Sequence, residues 1–136
     1  MAESDTHIVL VRLMLSWISS NLLDNDSGSI LVDLPETNAK TKPQPVIDQY
    51  RPDIFVYYKE ILIIGEAKTE RDLERSHSKK QFESYIRTCE MYDGKSYLIV
   101  SVPCFVEPTA RNMLKNICRN LDARKTEIRV VSKLLQ

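Results

Sequence analysis

Three charged side chains stand where the pattern around them calls for apolar ones. Residues 52–58 and 61–67 are two runs rich in Ile, Val and aromatic residues, divided only by Lys59 and Glu60. Asp53 opens the first run; Glu66 and Lys68 close the second. If the runs form a hairpin turning on Lys59-Glu60, Asp53 and Glu66 are direct cross-strand partners, because each lies six residues from its turn residue. Such partners share a face, with Cβ atoms about 5 Å apart. Lys68, two residues beyond Glu66, points to that same face. Lys-Glu is not a favoured pair for such a turn, which leaves the register open. Two carboxylates this close repel unless something neutralises them. A divalent cation does so, and oxygen ligands suit Mg²⁺ or Mn²⁺, which keep waters and accept phosphate oxygens. Lys68 then orients a water and neutralises charge as phosphorus becomes five-coordinate. That is the chemistry of phosphodiester hydrolysis. The plainer reading is a salt bridge at a strand end, but it leaves Gly65 and the following helix without a reason.

The elements that must position these groups follow from periodicity. Ser4 or Asp5 caps a helix running to about residue 23, with Leu10, Leu13, Trp17 and Ile18 as its buried stripe. Residues 25–29 are a turn cluster, 30–34 a strand, and 35–49, with three prolines, a loop. After the hairpin, Asp72 or Ser76 starts a helix that ends near 93–94, with Phe82, Tyr85, Ile86 and Cys89 inward. Residues 96–102 are a strand and 127–131 another. Between them, 108–122 is a helix with Ala110, Leu114, Ile117, Cys118 and Leu121 inward. The order α-β-β-β-α-β-α-β implies an α/β fold, one mixed central sheet flanked by helices.

Pro52-Asp53 followed by Glu66-Ala67-Lys68 resembles the PD-(D/E)XK nuclease superfamily, the restriction-endonuclease-like fold. In that family a hairpin presents Asp on one strand and Glu-x-Lys on the next, and the helix after it often carries a Gln. Gln81 matches that Gln. The family core, α-β-β-β-α-β, corresponds to residues 5–102. The resemblance implies that Asp53, Glu66 and the Ala67 carbonyl bind metal, that Lys68 handles the water, and that Gln81 orients the site or the phosphate. Many members add a Glu on the first helix. Here that helix offers Glu3 and Asp5, at its extreme start, and N-capping is the stronger reading of Asp5.

Candidate nucleic-acid contacts surround this set. Arg71, Arg75, Lys79, Lys80 and Arg87 follow the second strand and suit phosphates, although Glu70, Asp72, Glu74 and Glu83 interleave with them as on a solvated face. Arg111, Lys115 and Arg119 make a basic stripe beside Asn112, Asn116 and Asn120 that tracks a backbone or simply faces solvent. His77 lies one helical turn from Gln81, where contact with substrate competes with a structural or exposed role. Tyr50 and Tyr58 are packing residues or base-stacking ones.

Bulk properties bound the function. The 136 residues suit one domain, 1–136, and the hydrophobic fraction of 43% is enough for a core. With 19 basic and 19 acidic side chains the net charge is zero, against a protein that coats nucleic acid by bulk charge. Cys89, Cys104 and Cys118 follow no metal-ligand spacing and read as reduced packing residues of a cytoplasmic protein. His7 and His77 are too few for a histidine-built zinc site. The apolar stretch 7–18 is interrupted by Arg12, too short to span a bilayer, and lacks the marks of a signal peptide. The expected function is a metal-dependent DNA endonuclease of repair, recombination, restriction or mobile-element biology. The alternatives are a non-catalytic nucleic-acid-binding or assembly module on the same fold, and an unrelated α/β interaction domain. A homodimer is expected, since one such site cuts one strand. Ile8, Val9, Leu10, Val11, Leu13, Met14 and Leu15 spread over more than one face of the first helix as a candidate interface.

Overall fold

The computed structural model describes residues 5–24, 30–37 and 43–133. Ser4, Glu3, the turn cluster at 25–29 and part of the proline-bearing loop lie outside the described residues. The elements are α1 (Asp5–Asn21), β1 (Ile30–Val32), β2 (Ile54–Tyr58), β3 (Ile61–Ala67), α2 (Glu70–Leu73), α3 (Ser76–Met91), β4 (Lys95–Pro103), a 3-10 turn (Cys104–Val106), α4 (Glu107–Leu121) and β5 (Glu127–Lys133). The five strands form one mixed sheet in the order β1-β2-β3-β4-β5. The first three are antiparallel; β4 and β5 run parallel to β3, each reached through a helical crossover. Of the two expected starts for the helix after the hairpin, the structure has Ser76, and Asp72 falls in a separate short helix, α2. Thr69 caps the short α2 through its side chain, and α3 begins afresh at Ser76.

Side-chain alternation divides the core in two. Leu62 and Ile64 of β3, with Leu98, Val100 and Val102 of β4, pack against Phe82, Tyr85, Ile86 and Cys89 of α3 and Ala110, Leu114 and Ile117 of α4. Ile63 and Ala67, with Ile54, Val56 and Ile99, pack against α1 on the other face. The buried stripe of α1 is His7, Leu10, Val11, Met14 and Ile18. It is rotated from the expected one, and Leu13 and Trp17 are only half-buried. Ile8, Leu15 and Trp17 also pack against this core, and of the large apolar residues of α1 only Val9 is classed as exposed. The apolar surplus that suggested a dimer interface is thus largely absorbed by packing.

Two contacts press α1 onto the sheet. A Cβ at Gly65 would stand 2.9 Å from Met14 Sδ and 3.1 Å from Ile54 Cβ, so glycine is what lets the helix approach. Ser101 Oγ donates to the Leu10 carbonyl at 2.8 Å.

The hairpin between β2 and β3 turns on Lys59 and Glu60, with φ of 48° and 67°. Two left-handed residues make the type I′ pattern that matches strand twist, usually filled by Asn and Gly. Neither residue is a natural choice, and a non-glycine there costs about 1–2 kcal/mol. The turn is held from behind: a Cβ at Gly94 would meet the Glu60 carbonyl oxygen at 2.2 Å, so the α3–β4 connection packs directly on it.

At the open edge of the sheet, the Ile128 carbonyl accepts from Arg129 and the Val130 carbonyl from Arg111, which covers β5 against pairing with another strand. The α4–β5 connection is latched by Glu90 of α3. Its carboxylate accepts from the backbone N–H groups of Arg124, Lys125 and Thr126 and from the Thr126 hydroxyl. Partial burial pushes Glu90 up, but the hydrogen bonds from Thr126, Arg124 and Lys125 outweigh it and hold the carboxyl below its ordinary range. The latch therefore stabilises the fold above the ordinary carboxylate pKa, and its contribution is lost as pH falls through the lowered value. Glu90→Ala should cost about 1–3 kcal/mol at pH 7 by denaturant unfolding. The cost should shrink as pH falls into the acid range, and a pH-independent difference would show that the charge is not what holds the connection.

Candidate active site

The register of the hairpin runs from Tyr58 opposite Ile61 to Ile54 opposite Gly65. One step further sets Asp53 opposite Glu66 and Pro52 opposite Ala67. Asp53, Glu66 and Lys68 all belong to the α3 face at the C-terminal end of β3. They are buried, at 5%, 5% and 7% exposure, and Gln81 joins them at 5%. Burial of four such groups together is tolerable only because they satisfy one another.

Asp53 is fixed from every side. Its backbone carbonyl accepts from Asp33 N at 2.8 Å and from Gln44 Nε2 at 3.1 Å. Its Oδ2 accepts from the Ala67 N–H at 2.9 Å, and its Oδ1 lies 3.2 Å from His7 Nε2, which reaches across from α1. An acceptor-only carboxylate requires that nitrogen to carry the hydrogen. Glu66 Oε1 accepts from the Tyr85 hydroxyl at 3.0 Å, while Oε2 faces Lys68 Nζ at 3.9 Å. Lys68 Nζ donates to Gln81 Oε1, and Gln81 Nε2 donates to the Tyr85 oxygen at 3.1 Å. Lys68, Gln81, Tyr85 and Glu66 are thus joined by three hydrogen bonds, and the two ends, Lys68 and Glu66, face each other as an ion pair. Gln81 and Tyr85 are one helical turn apart on α3, which is why one helix face serves both.

The electrostatics centre on Glu66. Burial pushes its carboxyl well above the usual range, the Asp53 carboxylate pushes it further, and Lys68 offsets part of this. The two carboxyl groups are close enough for Glu66 to hold a proton in a hydrogen bond to Asp53. Burial and the Glu66 carboxylate also raise the Tyr85 phenol, which keeps it a donor.

These groups suit a hard divalent cation. A cation there would offset the burial and repulsion that raise the Glu66 carboxyl. The ladder would aim the Ala67 carbonyl at residue 52, a proline with no N–H to give it. Among the described residues no group of three or more His, Cys, Asp or Glu side chains is arranged to hold a metal. Two carboxylates with a backbone carbonyl could hold a cation that keeps several of its waters, as Mg²⁺ does.

The remaining candidates lie elsewhere. Arg71, Arg75, Lys79, Lys80 and Arg87 are exposed on α2, on α3 and between them. Arg111, Lys115 and Arg119 are exposed on α4, where Arg111 is bound to Glu107 at 2.6 Å and to the Val130 carbonyl. No hydrogen bond or ion pair joins either set to the carboxylates among the described residues. His77 packs edge-on against Tyr50 at 5.2 Å, and Tyr50 against Tyr85 at 6.4 Å, so Tyr50 is a buried support of the site and no stacking platform. Tyr58 sits at the turn end of the hairpin under Lys59. Asp5 is exposed at the start of α1.

Sequence reasoning missed His7 and the hydroxyl of Tyr85. His7 falls at helical spacing with Leu10, Val11 and Met14. A histidine on an apolar stripe, needing a buried partner, was the available signal.

The raised Glu66 carboxyl has a consequence for stability. Below the ordinary carboxylate pKa the neutral form is present in both folded and unfolded chains and costs nothing. As pH rises towards the raised folded value, the unfolded chain releases the proton first, and stability falls. Glu66→Gln mimics the protonated form, so in chelator the variant should be more stable than the parent chain at pH 8. The difference should vanish towards pH 4 in calorimetric scans, and an advantage that does not grow with pH would refute the raised carboxyl. No protein-family model, no curated protein and no solved structure matches this chain, so the reading of the site rests on its own geometry.

Proposed function

We propose that the chain is a metal-dependent endonuclease that hydrolyses phosphodiester bonds of DNA, with Asp53, Glu66 and the Ala67 carbonyl as its Mg²⁺ or Mn²⁺ ligands. The observation that carries this reading is the buried Asp53–Glu66 pair with an ammonium 3.9 Å from its free oxygen. A surface salt bridge is exposed and worth little; this cluster is buried, and two like charges in it are costly to folding. The element order also supports the resemblance to PD-(D/E)XK nucleases. Three antiparallel strands are followed by a helix and a parallel strand, with the motif at the ends of β2 and β3.

When bound, the cation supplies charge that offsets the phosphate oxygens and acidifies a water. The chain's residues do the rest. Tyr85 occupies Glu66 Oε1, so a cation would be held by Glu66 through the oxygen that faces Lys68. His7 and the Ala67 N–H fix the plane of the Asp53 carboxylate. Gln81 holds Lys68 so that one ammonium N–H is engaged with its amide and another faces Glu66. The third remains for the attacking water or a phosphoryl oxygen, where it stabilises charge developing in the transition state. The exposed bases Arg71, Arg75, Lys79 and Lys80 are the proposed backbone contacts. A homodimer remains the proposal for cutting both strands of a duplex, without α1 as its interface.

Asp53→Ala should abolish cleavage of plasmid DNA in Mn²⁺ and weaken Mn²⁺ binding measured by calorimetry. Lys68→Ala should bind Mn²⁺ like the parent chain but cleave about 10²–10³-fold more slowly, the usual loss for one transition-state donor. Cleavage by Asp53→Ala at the parent rate would overturn the site assignment. An equal loss of metal affinity in Lys68→Ala would overturn the role given to Lys68.

A further inference from the structure

A groove of about 580 Å³ opens between the start of α1, the start of α2 and the end of β4. Val9 and Leu10 of α1, Pro103 at the end of β4 and Phe105 of the 3-10 turn form its apolar wall, with Arg71 of α2 also lining it. Val9 is 36% exposed and Phe105 55%, two of the few large apolar side chains that face solvent anywhere among the described residues. Val106 is buried and anchors the turn, while Phe105 beside it is left outside the core. The groove and the site draw on neighbouring residues at two places in the chain. Thr6, which lines it, precedes His7, and Thr69, which lines it, follows Lys68.

We propose that this groove holds an unpaired nucleobase flanking the scissile phosphate, and therefore that the preferred substrate is a single strand, flap or frayed end. The inference rests on the nuclease reading above. An aromatic face beside a phosphate-binding cation is the recurring platform for single-stranded nucleic acid, because every base has a π-face to stack. A base in a duplex is already stacked and paired and cannot reach a groove at the end of a sheet. The other groove-lining charges, Asp5 and Glu70, are acceptors that suit the amino groups of a base edge and disfavour a second phosphate. Arg71 supplies the one cation among the lining residues, matched to the one phosphate adjoining the base. The volume accommodates a base with its sugar.

The test uses the full chain in Ca²⁺, with a fluorescently labelled oligodeoxycytidylate of about a dozen nucleotides as probe and a blunt duplex of equal length as control. Phe105→Ala should weaken binding of the single strand about tenfold, the scale of one lost base stack, and leave duplex binding within about twofold. The thermal midpoint, measured alongside, should be unchanged because Phe105 is outside the core. In Phe105→Trp, indole emission above the Trp17 background should be quenched by the single strand and not by the duplex. Single-strand binding unaffected by Phe105→Ala, equal losses on both probes, or no quenching in Phe105→Trp each overturn the subsite. Cleavage of both probes in Mn²⁺ by the parent chain is scored separately. Cleavage without Phe105 dependence removes the subsite and keeps the nuclease. Stacking without any cleavage removes the nuclease and keeps a single-strand-binding groove.

Discussion

The two-residue turn at Lys59-Glu60 sets the register on which everything else at the site depends. Both residues are left-handed, and the α3–β4 connection at Gly94 packs against the turn too closely for any side chain to be tolerated there. A slip of one residue would carry Glu66 to the α1 face and away from Asp53, since successive residues of a strand alternate faces. The constraint acts at a distance. The turn lies at one end of β3 and the carboxylates at the other, roughly 20 Å away at about 3.3 Å per residue. Sequence choices at the turn that look locally poor, two non-glycine residues in left-handed geometry, are sustained by packing behind them.

Given that register, burial makes the pair chemically significant. Two carboxyl groups in a low-dielectric setting cannot both ionise cheaply, and burial with the nearby Asp53 holds the Glu66 carboxyl above its ordinary range. The hydrogen bonds that join Lys68, Gln81, Tyr85 and Glu66 then orient each group. A fold seeking only stability has no use for such a cluster, and groups that strain folding are characteristic of sites that act on something else. His7 joins the two faces of the sheet. It belongs to the apolar stripe of α1, yet its imidazole ends on Asp53. Closure of α1 onto Gly65 and Ser101 is thereby coupled to the position of a proposed ligand.

Much of this was legible in the sequence. The apolar runs at 52–58 and 61–67 and the symmetric spacing of Asp53 and Glu66 about Lys59-Glu60 predict their pairing, and the structure has that register. The inward faces of α3 and most of α4 follow from helical periodicity, as do the mixed sheet and the element order. What escaped depends on contacts distant in sequence. Nothing near His7 announces a partner 46 residues away, and Tyr85 reads as core because its ring is core and only its hydroxyl is not. The rotation of the α1 stripe towards His7, Val11 and Met14 reflects where Gly65 allows close approach, which no property of α1 itself encodes. The break between α2 and α3 was visible only as two competing caps. The α4 stripe reads as a basic surface because a helix expected from residue 108 leaves out Glu107, the i,i+4 partner of Arg111, and because the contact of Arg111 with the edge of β5 needs the tertiary structure to be seen.

The central claim is that Asp53 and Glu66 form a cation site in which the metal displaces a proton from the raised Glu66 carboxyl. Titration of the chain with Mn²⁺ by calorimetry at pH 7, repeated in buffers of different ionisation enthalpy, counts the protons displaced per ion bound, since a carboxyl that ligates must first deprotonate. The account predicts binding with release of close to one proton, and loss of that release in Glu66→Gln. Absence of Mn²⁺ binding, or binding that releases no proton, would contradict it.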